Sequence, residues 1–519
     1  MARTATSGRG GLAGAAIIMM TTFALSRATG LVRDVAVSAL FGTGREMDAY
    51  LAAIRIPDFI FQVTAGGAVA SAFIPVFAAY LARDETESGW RMVSTLFNLA
   101  VVVLSPLVIL LIAFAPQVMQ LIAAGLEPEY QELAGRLARI LLIMPLFFTL
   151  GCFTTSVLNT HQRFLLAALA PTAYNLGIIF GALALAPRFG IRGLAAGTAL
   201  GSLLFLLVQV PGLVQVGMRY LPVLDVGHQG VRDIGRLMVP RALGLAVVQV
   251  NFVVTLYLAS WIPGGPAALN WAWLLTMLPL GVFGMAISSA VFPALATQTA
   301  RAQVVEMRRT AATALRFILY LTIPATIGLA VLGESIIQVL FQRGAFTTAS
   351  TAMTVYALRF YAPGLIAMAA VEIVTRTFYA FQDTRTPVAV ATVAMVVNVV
   401  LAVALVRPLS HGGLALATSL ASTVEAAILL SLAQRRLPGL LDRDLLASLA
   451  RSGISALLMA AAVIEFARVL VAPLGSPDFL ARATLLAGAI SLGVATYLVV
   501  SLAVRSEEAR RLLRMVTRR

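Results

Sequence analysis

Long runs of apolar residues recur along this chain of 519 residues. A bilayer core of about 30 Å is crossed by a helix of about 20 apolar residues. Measured with that length, the sequence predicts about fourteen crossing helices, with boundaries soft by several residues. They lie near 15–41, 48–81, 92–124, 131–159, 163–186, 191–217, 235–261, 267–297, 310–333, 352–380, 386–406, 412–434, 446–472 and 479–504. The predicted fold class is therefore an all-α polytopic membrane protein.

Three of these helices carry residues that favour a bend. Helix two contains Pro57 and the stretch "TAGGA", in which Gly66 and Gly67 are predicted hinge positions. Helix eight contains Pro279, and helix ten contains "YAPGLIA". Proline removes a backbone donor and kinks a helix, and such breaks are tolerated in membrane helices when neighbours satisfy the freed groups.

Composition supports the membrane assignment. Apolar residues make up 60% of the chain and charged residues only 12%, and the mean hydropathy is +0.92. A soluble protein would carry about 25% charged residues. Cys152 is the only cysteine, which excludes an internal disulfide and a multi-cysteine metal site. The first 30 residues lack a convincing cleavage site, so they are predicted to form a retained first helix and not a signal peptide.

The basic residues, which are all arginine, give the chain a net charge of +15. In a soluble protein that charge would suggest nucleic-acid binding. Here most arginines lie in the loops and helix ends on the side of the two termini, which indicates membrane topology. We therefore expect no nucleic-acid partner. Positive charge marks the cytoplasmic side, and the basic tail "RSEEARRLLRMVTRR" suits anionic membrane lipids. We therefore expect both termini in the cytoplasm.

Several stretches occur twice. "SRATGL" from Ser26 returns as "PRALGL" from Pro240, and "VASAFIPVFA" from Val69 returns as "SSAVFPALA" from Ser288. A weaker pair starts at Asn175 and Asn398. Offsets of about 214 to 223 residues correspond to six helices, which makes the repeat parallel about an axis along the membrane normal. The predicted domains are an N-lobe at 1–217, a C-lobe at 218–435, and two further helices with the basic tail at 436–519.

Three full charges lie inside the first apolar helix. Arg27 is predicted near mid-bilayer, roughly 18 Å along the helix at about 1.5 Å per residue. Asp34 returns to nearly the same face, and Arg33 points to the flank or to a neighbouring helix. Gly30 between them removes a side chain and leaves room for a ligand or a close helix contact. Each such charge costs roughly 2.5–3.5 kcal/mol when it faces lipid, so the stripe is predicted to face the interior.

Further charges extend this pattern, and most of them are cations. Two readings remain open: salt bridges such as Arg33 to Asp48 that hold helices together, or a cavity with spare positive charge for an anion. Guanidinium binds phosphate in a bidentate manner, which favours the second reading for the set as a whole. These charges are Asp48, Arg55 and Asp58 on helix two, Arg241 on helix seven, and Arg359, Glu372 and Arg376 on helix ten.

The chain resembles the MurJ or MviN lipid II flippase family of the multidrug/oligosaccharidyl-lipid/polysaccharide exporter superfamily. The matching stretches include "SRATGLVRD", "FGTGREMDAYLAAIRIPD", "GGAVASAFIPVFAAY", "LNTHQRFLLAALAPTAYN", "LFQRGAFTTAST" and "FYAFQDTRTPV", in this order. The resemblance implies two six-helix lobes plus two helices, and export of the undecaprenyl-diphosphate-linked peptidoglycan precursor that cell-wall synthesis and cell shape require.

The family's site residues carry over in part. Arg27, Arg33, Asp34 and Asp48 match its charged cavity residues, and Arg55 lies where the family has a basic residue before a proline. Two family cations are missing, because Phe61 and Gln62 follow that proline and Leu274 stands where the family has an arginine. Arg241 is an added cation, predicted to restore part of the cavity charge.

The expected mechanism is alternating access with no cofactor. The substrate-binding set is Arg27, Arg33, Arg55 and Arg241. The charge network or gate is Asp34, Asp48, Glu372 and Arg376, and the hinges are Gly30, Pro57, Gly66 and Gly67. The sequence leaves the energy source open between the membrane potential, protons and sodium ions. Cell-wall synthesis proteins are candidate partners.

Other functions stay in view with weaker support. A drug or solute antiporter of the same superfamily would be expected to have an acid-dominated cavity, and a flippase for another polyprenyl-linked sugar is opposed only by the motifs. A non-transporting scaffold is disfavoured, because charged side chains inside the membrane are costly and would have no function in it. An enzyme is disfavoured because His161, His228 and His411 are predicted in separate loops and no metal-ligand cluster or phosphate loop is found. "QDTRTP" at 382–387 is predicted to start a helix capped by Asp383.

Overall fold

A computed structural model describes residues 7–65, 68–471 and 478–517. Gly66 and Gly67 lie outside the described residues, and the side chain of Arg241 is likewise not described. Within these ranges the chain forms helices, connected by short turns and one longer linker. The helices are α1 (Ser7–Phe41), α2 (Arg45–Thr64), α3 (Ala68–Ala82), α4 (Thr86–Ala113), α5 (Ala115–Ile122), α6 (Pro128–Leu141), α7 (Met144–Thr160), α8 (Phe164–Phe180), α9 (Ala186–Phe189), α10 (Ile191–Leu207), α11 (Val210–Gln215), α12 (Gln229–Ser260), α13 (Gly265–Pro279), α14 (Ala286–Ala300), α15 (Val304–Leu340), α16 (Thr348–Tyr361), α17 (Gly364–Ala380), α18 (Arg385–Arg436), α19 (Arg443–Phe466), α20 (Phe479–Ala503) and α21 (Glu507–Thr517).

The predicted crossing segments coincide with single helices or with consecutive helices, except that segments eleven and twelve both lie in α18, on either side of a break at Ser410. By length and composition, nine helices of the described part can cross a membrane, and the pair α16 and α17, bent by 48°, adds a tenth. The all-α membrane fold is thus confirmed, and the count of fourteen is compatible with it but stays a prediction. The bend falls in the predicted "YAPGLIA" stretch. Helix eight is also interrupted, because a π-helical turn at Leu280–Met285 separates α13 from α14 directly after Pro279.

The chain divides into two compact units, Met1–Pro263 and Gly264–Arg519. The first unit contains α1 to α12, so it includes α12, which the repeat assigns to the second copy. The division at 217 and 218 rests on the repeat alone and stays a prediction. In the second unit α19 and α20 pack against α15, where the Tyr497 hydroxyl donates to the Tyr320 carbonyl oxygen at 2.6 Å.

Left-handed backbone positions reveal the duplication more clearly than the sequence does. A non-glycine residue with positive φ is uncommon, because its Cβ crowds the backbone. In this chain positive-φ residues recur at nearly constant spacing and end equivalent helices of the two copies. The strongest case is Gly190 (φ 58°, ψ −143°) and Ser410 (φ 51°, ψ −140°), which are 220 residues apart. The other pairs are Asp84 with Ala302, Gln162 with Gln382, and Gly217 with Gly439.

This spacing corrects one sequence pair. At an offset of 220 the counterpart of Asn175 is Met395, so Asn398 lies almost one turn later on α18. Asn398 donates to the Thr418 hydroxyl at 3.2 Å, whereas Asn175 bonds α1. The two asparagines therefore do different work.

Asp383 lies two residues before α18 and caps the first turn of that helix, as the sequence predicted. Its Oδ1 accepts from the Thr386 backbone N–H at 3.0 Å and its Oδ2 accepts from the Thr386 hydroxyl at 2.7 Å. Arg436, at the far end of α18, donates to the same Oδ2 at 2.6 Å and lies over the Phe378 ring. The Thr386 N–H, its hydroxyl and then Arg436 lower the pKa of Asp383 to about 2, so the carboxylate is ionised at neutral pH. This cluster ties both ends of α18 to α17.

The linker between α11 and α12 lies along α4. The Asn98 amide donates to the carbonyl oxygens of Leu221 at 3.1 Å and Val223 at 2.9 Å. Arg91 pairs with Asp225 at 2.9 Å. The linker ends at His228, whose ring nitrogen caps α12 by accepting from the Gly230 N–H at 3.2 Å. An extended segment therefore has its polar groups satisfied by one helix face.

Helices α8 and α10 approach until their backbones touch. A Cβ on Gly197 would lie 2.2 Å from the Gly181 Cα and 2.8 Å from the Gly177 carbonyl oxygen. Small residues permit such contact between membrane helices, whose association depends on close packing.

Gly197→Leu should therefore force α8 and α10 apart. We expect a loss of several kcal/mol in stability, about the size of a severe core substitution, measured as a fall in the thermal midpoint of the purified protein in nanodiscs. Gly328→Leu is the matched control, because a Cβ at this helical glycine meets no atom within 4 Å. Equal falls for the two variants would show that the α8–α10 contact is not what stabilises the first unit.

Candidate functional site

Arg33 is the centre of a polar network between α1 and α8. Its Nε and Nη2 donate to Asp34 Oδ1 at 2.9 and 2.7 Å, and its Nη1 donates to Asn175 Oδ1 at 3.0 Å. The Asn175 amide in turn donates to the Ser26 carbonyl oxygen at 3.1 Å and to the Thr29 hydroxyl at 3.3 Å. The side chains of Arg33 and Asp34 stay 26% and 13% exposed. The network holds the guanidinium in one orientation without closing it off.

Buried Tyr50 and half-buried Tyr174 lie close enough to Arg33 to interact with it electrostatically. The Tyr50 hydroxyl shares a hydrogen bond of 2.8 Å with Thr198 of α10. Tyr174 packs its ring against Phe148 with centroids 5.0 Å apart. Both tyrosines thus belong to the electrostatic surroundings of Arg33. Sequence reasoning missed them because a tyrosine in an apolar helix carries no distinctive pattern.

Arg55 and Asp58 bring a second pair of charges from α2. The Arg55 guanidinium lies 5.3 Å from the centre of the Phe252 ring on α12. Asp58 interacts electrostatically with Arg55 and with Tyr50, which places it at the edge of the same cluster. Pro57 between them is buried inside α2. We define the first-unit charge cluster as Arg33, Asp34, Tyr50, Arg55, Asp58, Tyr174 and Asn175.

Asp48 has a different partner from the one that the salt-bridge reading suggested. It is fully buried and pairs with Arg45 at 3.6 Å, while Arg33 pairs with its neighbour Asp34. Arg45 also donates to Glu127 at 2.7 Å and to the Ser260 carbonyl oxygen at 3.2 Å. Arg45 and Asp48 therefore join the start of α2 to the ends of other helices.

Arg27 is exposed, two turns before Asp34 on α1. Its guanidinium lies 5.2 Å from the centre of the Phe23 ring, and no carboxylate in the described part of the chain lies within ion-pair distance. At Gly30, a Cβ would lie 3.5 Å from the Asn175 amide nitrogen, which is an ordinary contact. Glycine is thus compatible with the close α1–α8 contact but is not sterically required there.

A separate group of charges lies in the second unit. Glu372 and Arg376 are half-buried on α17, and the Ser288 hydroxyl of α14 donates to Glu372 at 3.5 Å. Glu425 of α18 is close enough to Glu372 to interact electrostatically, and sequence reasoning missed it because it stands alone in an apolar run. Arg359 is exposed in the last turn of α16.

The positions that lack family cations are apolar or half-buried. Phe61 stacks on Phe148 with ring centroids 4.8 Å apart, so it fills space beside the first-unit charge cluster. Gln62 and Leu274 are half-buried. Arg241 is on α12, but its side chain lies outside the described residues, as do Gly66 and Gly67.

The histidines have structural partners. His161 stacks on Trp90 and His228 caps α12. The prediction that His411 lies in a loop was wrong: it is buried beside the break at Ser410, and its Nε2 is 2.9 Å from the Met353 carbonyl oxygen. Among the described residues no group of three or more metal-ligating side chains is found.

The chain matches proteins of a known family over most of its length. A sequence profile described as "Lipid II flippase MurJ" matches residues 37–486. The chain belongs to the MurJ family. A probable lipid II flippase MurJ of Vibrio cholerae is 31% identical over 502 residues, covering 94% of this chain and 95% of that protein. This confirms the resemblance drawn from the motifs.

Solved structures agree with the MurJ assignment. A lipid II flippase MurJ in an inward closed conformation matches with a TM-score of 0.80 and 26% identity, covering 93% of this chain and 98% of that one. An inward-facing multidrug transporter of the MATE family, in the MOP superfamily, matches with a TM-score of 0.68 and 16% identity, covering 82% of this chain and 98% of that one. The second likeness concerns the fold alone.

The Arg33–Asp34 pair offers a direct test of the cluster. Asp34→Ala leaves a partly buried guanidinium without its carboxylate, and we expect it to lower stability by about 2–3 kcal/mol. Arg33→Ala/Asp34→Ala should lose less than Asp34→Ala alone, because no uncompensated charge remains. Thermal unfolding in nanodiscs measures both.

Asp225→Ala is the control for this test, since it breaks the exposed Arg91–Asp225 pair and should cost about 1 kcal/mol or less. If the double variant were as unstable as the sum of its single variants, Arg33 and Asp34 would not be energetically coupled.

Proposed function

We propose that this chain moves lipid II, the peptidoglycan precursor linked to a polyprenyl diphosphate, from the cytoplasmic to the outer leaflet of a bacterial inner membrane. The observation that carries the proposal is membership of the MurJ family over residues 37–486. It is a transport function, and no chemical bond of the cargo changes. The first-unit charge cluster supplies the chemistry that a diphosphate headgroup needs.

In this proposal Arg33 and Arg27 bind the diphosphate. A guanidinium has five N–H donors, and the bonds to Asp34 and Asn175 use three of those on Arg33. Two donors therefore remain for phosphate oxygens. Arg27 is exposed and carries no ion pair within the described part of the chain, so its donors are available to the same ligand.

Further residues take supporting roles in the proposal. Arg55 adds positive charge within the cluster, and the sequence repeat assigns a further positive charge to Arg241 on α12. Asp34 holds Arg33, Asp48 anchors α2 through Arg45, and Glu372 and Arg376 form a charge network in the second unit. Movement occurs by alternating access, with Gly30, Pro57, Gly66 and Gly67 as hinges.

The membrane potential is the energy source that we propose. Carrying a negative headgroup outward from a negative interior yields about 2.3 kcal/mol per charge per 100 mV. Proton or sodium coupling through Asp34 or Glu372 is the competing arrangement. Most arginines lie in the loops on the side of the two termini, which supports a cytoplasmic location for both termini. Interaction with cell-wall synthesis proteins is proposed only from the shared cargo.

Transport by the purified protein tests the function. The chain is reconstituted into vesicles, and added protease cuts the C-terminal tail of those molecules whose tail faces outward. In these vesicles labelled lipid II should cross the bilayer. We expect Arg33→Ala and Arg27→Ala each to slow transport at least about tenfold, because each removes charge-assisted hydrogen bonds to the diphosphate. Arg188→Ala, which changes an exposed arginine of α9 outside the cluster, should keep the rate. Equal transport by all variants would remove these arginines from the site, and absence of transport by the unmodified chain would contradict the function.

The same vesicles separate the energy sources. A potassium diffusion potential, negative on the side where the protease cuts, should accelerate transport severalfold at equal pH and sodium concentration. A response only to a pH or sodium gradient would instead favour coupling through a carboxylate. The molecules that transport in the proposed direction should be those whose tail the protease cuts. If they are not, the proposed cytoplasmic location of the C-terminus is wrong.

A further inference from the structure

A cavity of about 400 Å³ lies between α14, α15 and the C-terminal helix α21, away from the first-unit charge cluster. Its polar side carries Arg309 and Arg316 of α15 and, from α21, Arg511 together with Glu507 and Glu508. Its apolar side includes Ile287, Val291 and Phe317. An arginine-lined wall facing an apolar wall matches a molecule that joins a negative group to hydrocarbon.

The two arginines of α15 share one helix face. Arg309, Thr313 and Arg316 follow at steps of four and three residues, so they lie one above another along the helix. Arg309 is exposed and lies about 8 Å from the start of α15, taking about 1.5 Å per residue. Arg309 therefore lies in the second turn of α15, near one end of a helix long and apolar enough to cross a membrane.

Arg316 is held in place but is not satisfied. Its distances to Asp442 and Asp444 are 3.7 and 3.8 Å, longer than hydrogen bonds. Its Nε atom is buried and has no hydrogen-bond partner in the described part of the chain. A buried guanidinium N–H without an acceptor is costly, so an oxygen-rich ligand would stabilise this side chain.

The nearby carboxylates do not fill that need. Glu508 accepts from the Ser448 hydroxyl at 2.9 Å and from the Ser506 hydroxyl at 2.8 Å, and it makes no ion pair in the described part of the chain. Glu507 pairs with Arg511 at 3.5 Å. Arg309 has no ion pair within the described residues. Arg309 therefore keeps an unpaired positive charge at the cavity.

We propose that this cavity binds the phosphate headgroup of an anionic glycerophospholipid, and that α21 closes over it. The phosphodiester lies against Arg309, Arg316 and Arg511, and the glycerol and first acyl carbons lie against the apolar wall. The bound lipid fastens the amphipathic tail helix to α15. The site is separate from the transport site, so its test does not depend on whether the chain flips lipid II.

Binding of phosphatidylglycerol to the purified full chain, measured by native mass spectrometry from detergent micelles, tests the proposal. Arg309→Gln/Arg511→Gln should weaken the binding at least about tenfold, since two arginines are removed from a phosphate. The matched control is Arg308→Gln/Arg510→Gln, which changes the charge of the same two helices equally but alters no cavity-lining residue. The control should change the affinity less than about twofold.

Two further ligands identify the occupant. Phosphatidylcholine, which carries no net charge, and glycerol 3-phosphate, which carries no acyl chains, should both bind at least about tenfold more weakly than phosphatidylglycerol. Equal binding of phosphatidylcholine would overturn the anionic selectivity, and equal binding of glycerol 3-phosphate would show a site for a soluble phosphate. Equal losses in the control and cavity variants would overturn the location. If the double variant fails to fold, Arg309→Gln alone, at an exposed position, should still weaken binding about threefold.

Discussion

A guanidinium inside a bilayer must be paired, hydrogen-bonded or reached by water, and this constraint organises the first unit. Arg33 meets it through Asp34 and Asn175, and Asn175 meets its own needs through the backbone of α1. The charged side chain and the α1–α8 contact are therefore one arrangement. The guanidinium is fixed in position but still partly exposed, so some of its N–H donors stay accessible. Accessible donors are the condition for binding a second anion.

The duplication of the fold does not extend to its charges. Pro57 and Pro279 are 222 residues apart and occupy equivalent places in α2 and α13. At that offset Arg55 corresponds to Met277 and Asp58 to Leu280. The second copy keeps the helix pattern and its left-handed turns but has apolar residues at these positions. The Arg55–Asp58 pair thus has no counterpart in the second copy, whose own charges Glu372, Arg376 and Glu425 lie on α17 and α18.

Close backbone packing and local hydrogen bonds and ion pairs stabilise the helices that carry the charged side chains. Glycines let α8 and α10 touch, which fixes the position of Asn175 on α8 opposite Arg33. In the second unit Asp383 and Arg436 tie the two ends of α18 to α17, and Glu508 ties α21 to α19. Motion between states is therefore expected at helix breaks such as the 48° bend between α16 and α17.

The sequence by itself determined the fold class, the family, the helix segments and the start of α18 at Asp383, because apolar length, repeated motifs and capping residues are local properties. It also identified Arg33 and Asp34 as charges that lipid would not accept. Only the tertiary structure decided the partners of the charged side chains. Arg33 donates to Asn175, which is 142 residues away in sequence, and Asp48 pairs with Arg45. It likewise placed Tyr50 and Tyr174 beside Arg33 and showed His411 to be buried. A side chain's partner depends on which helices pack together and in what rotation, and residue order along one helix does not contain that information.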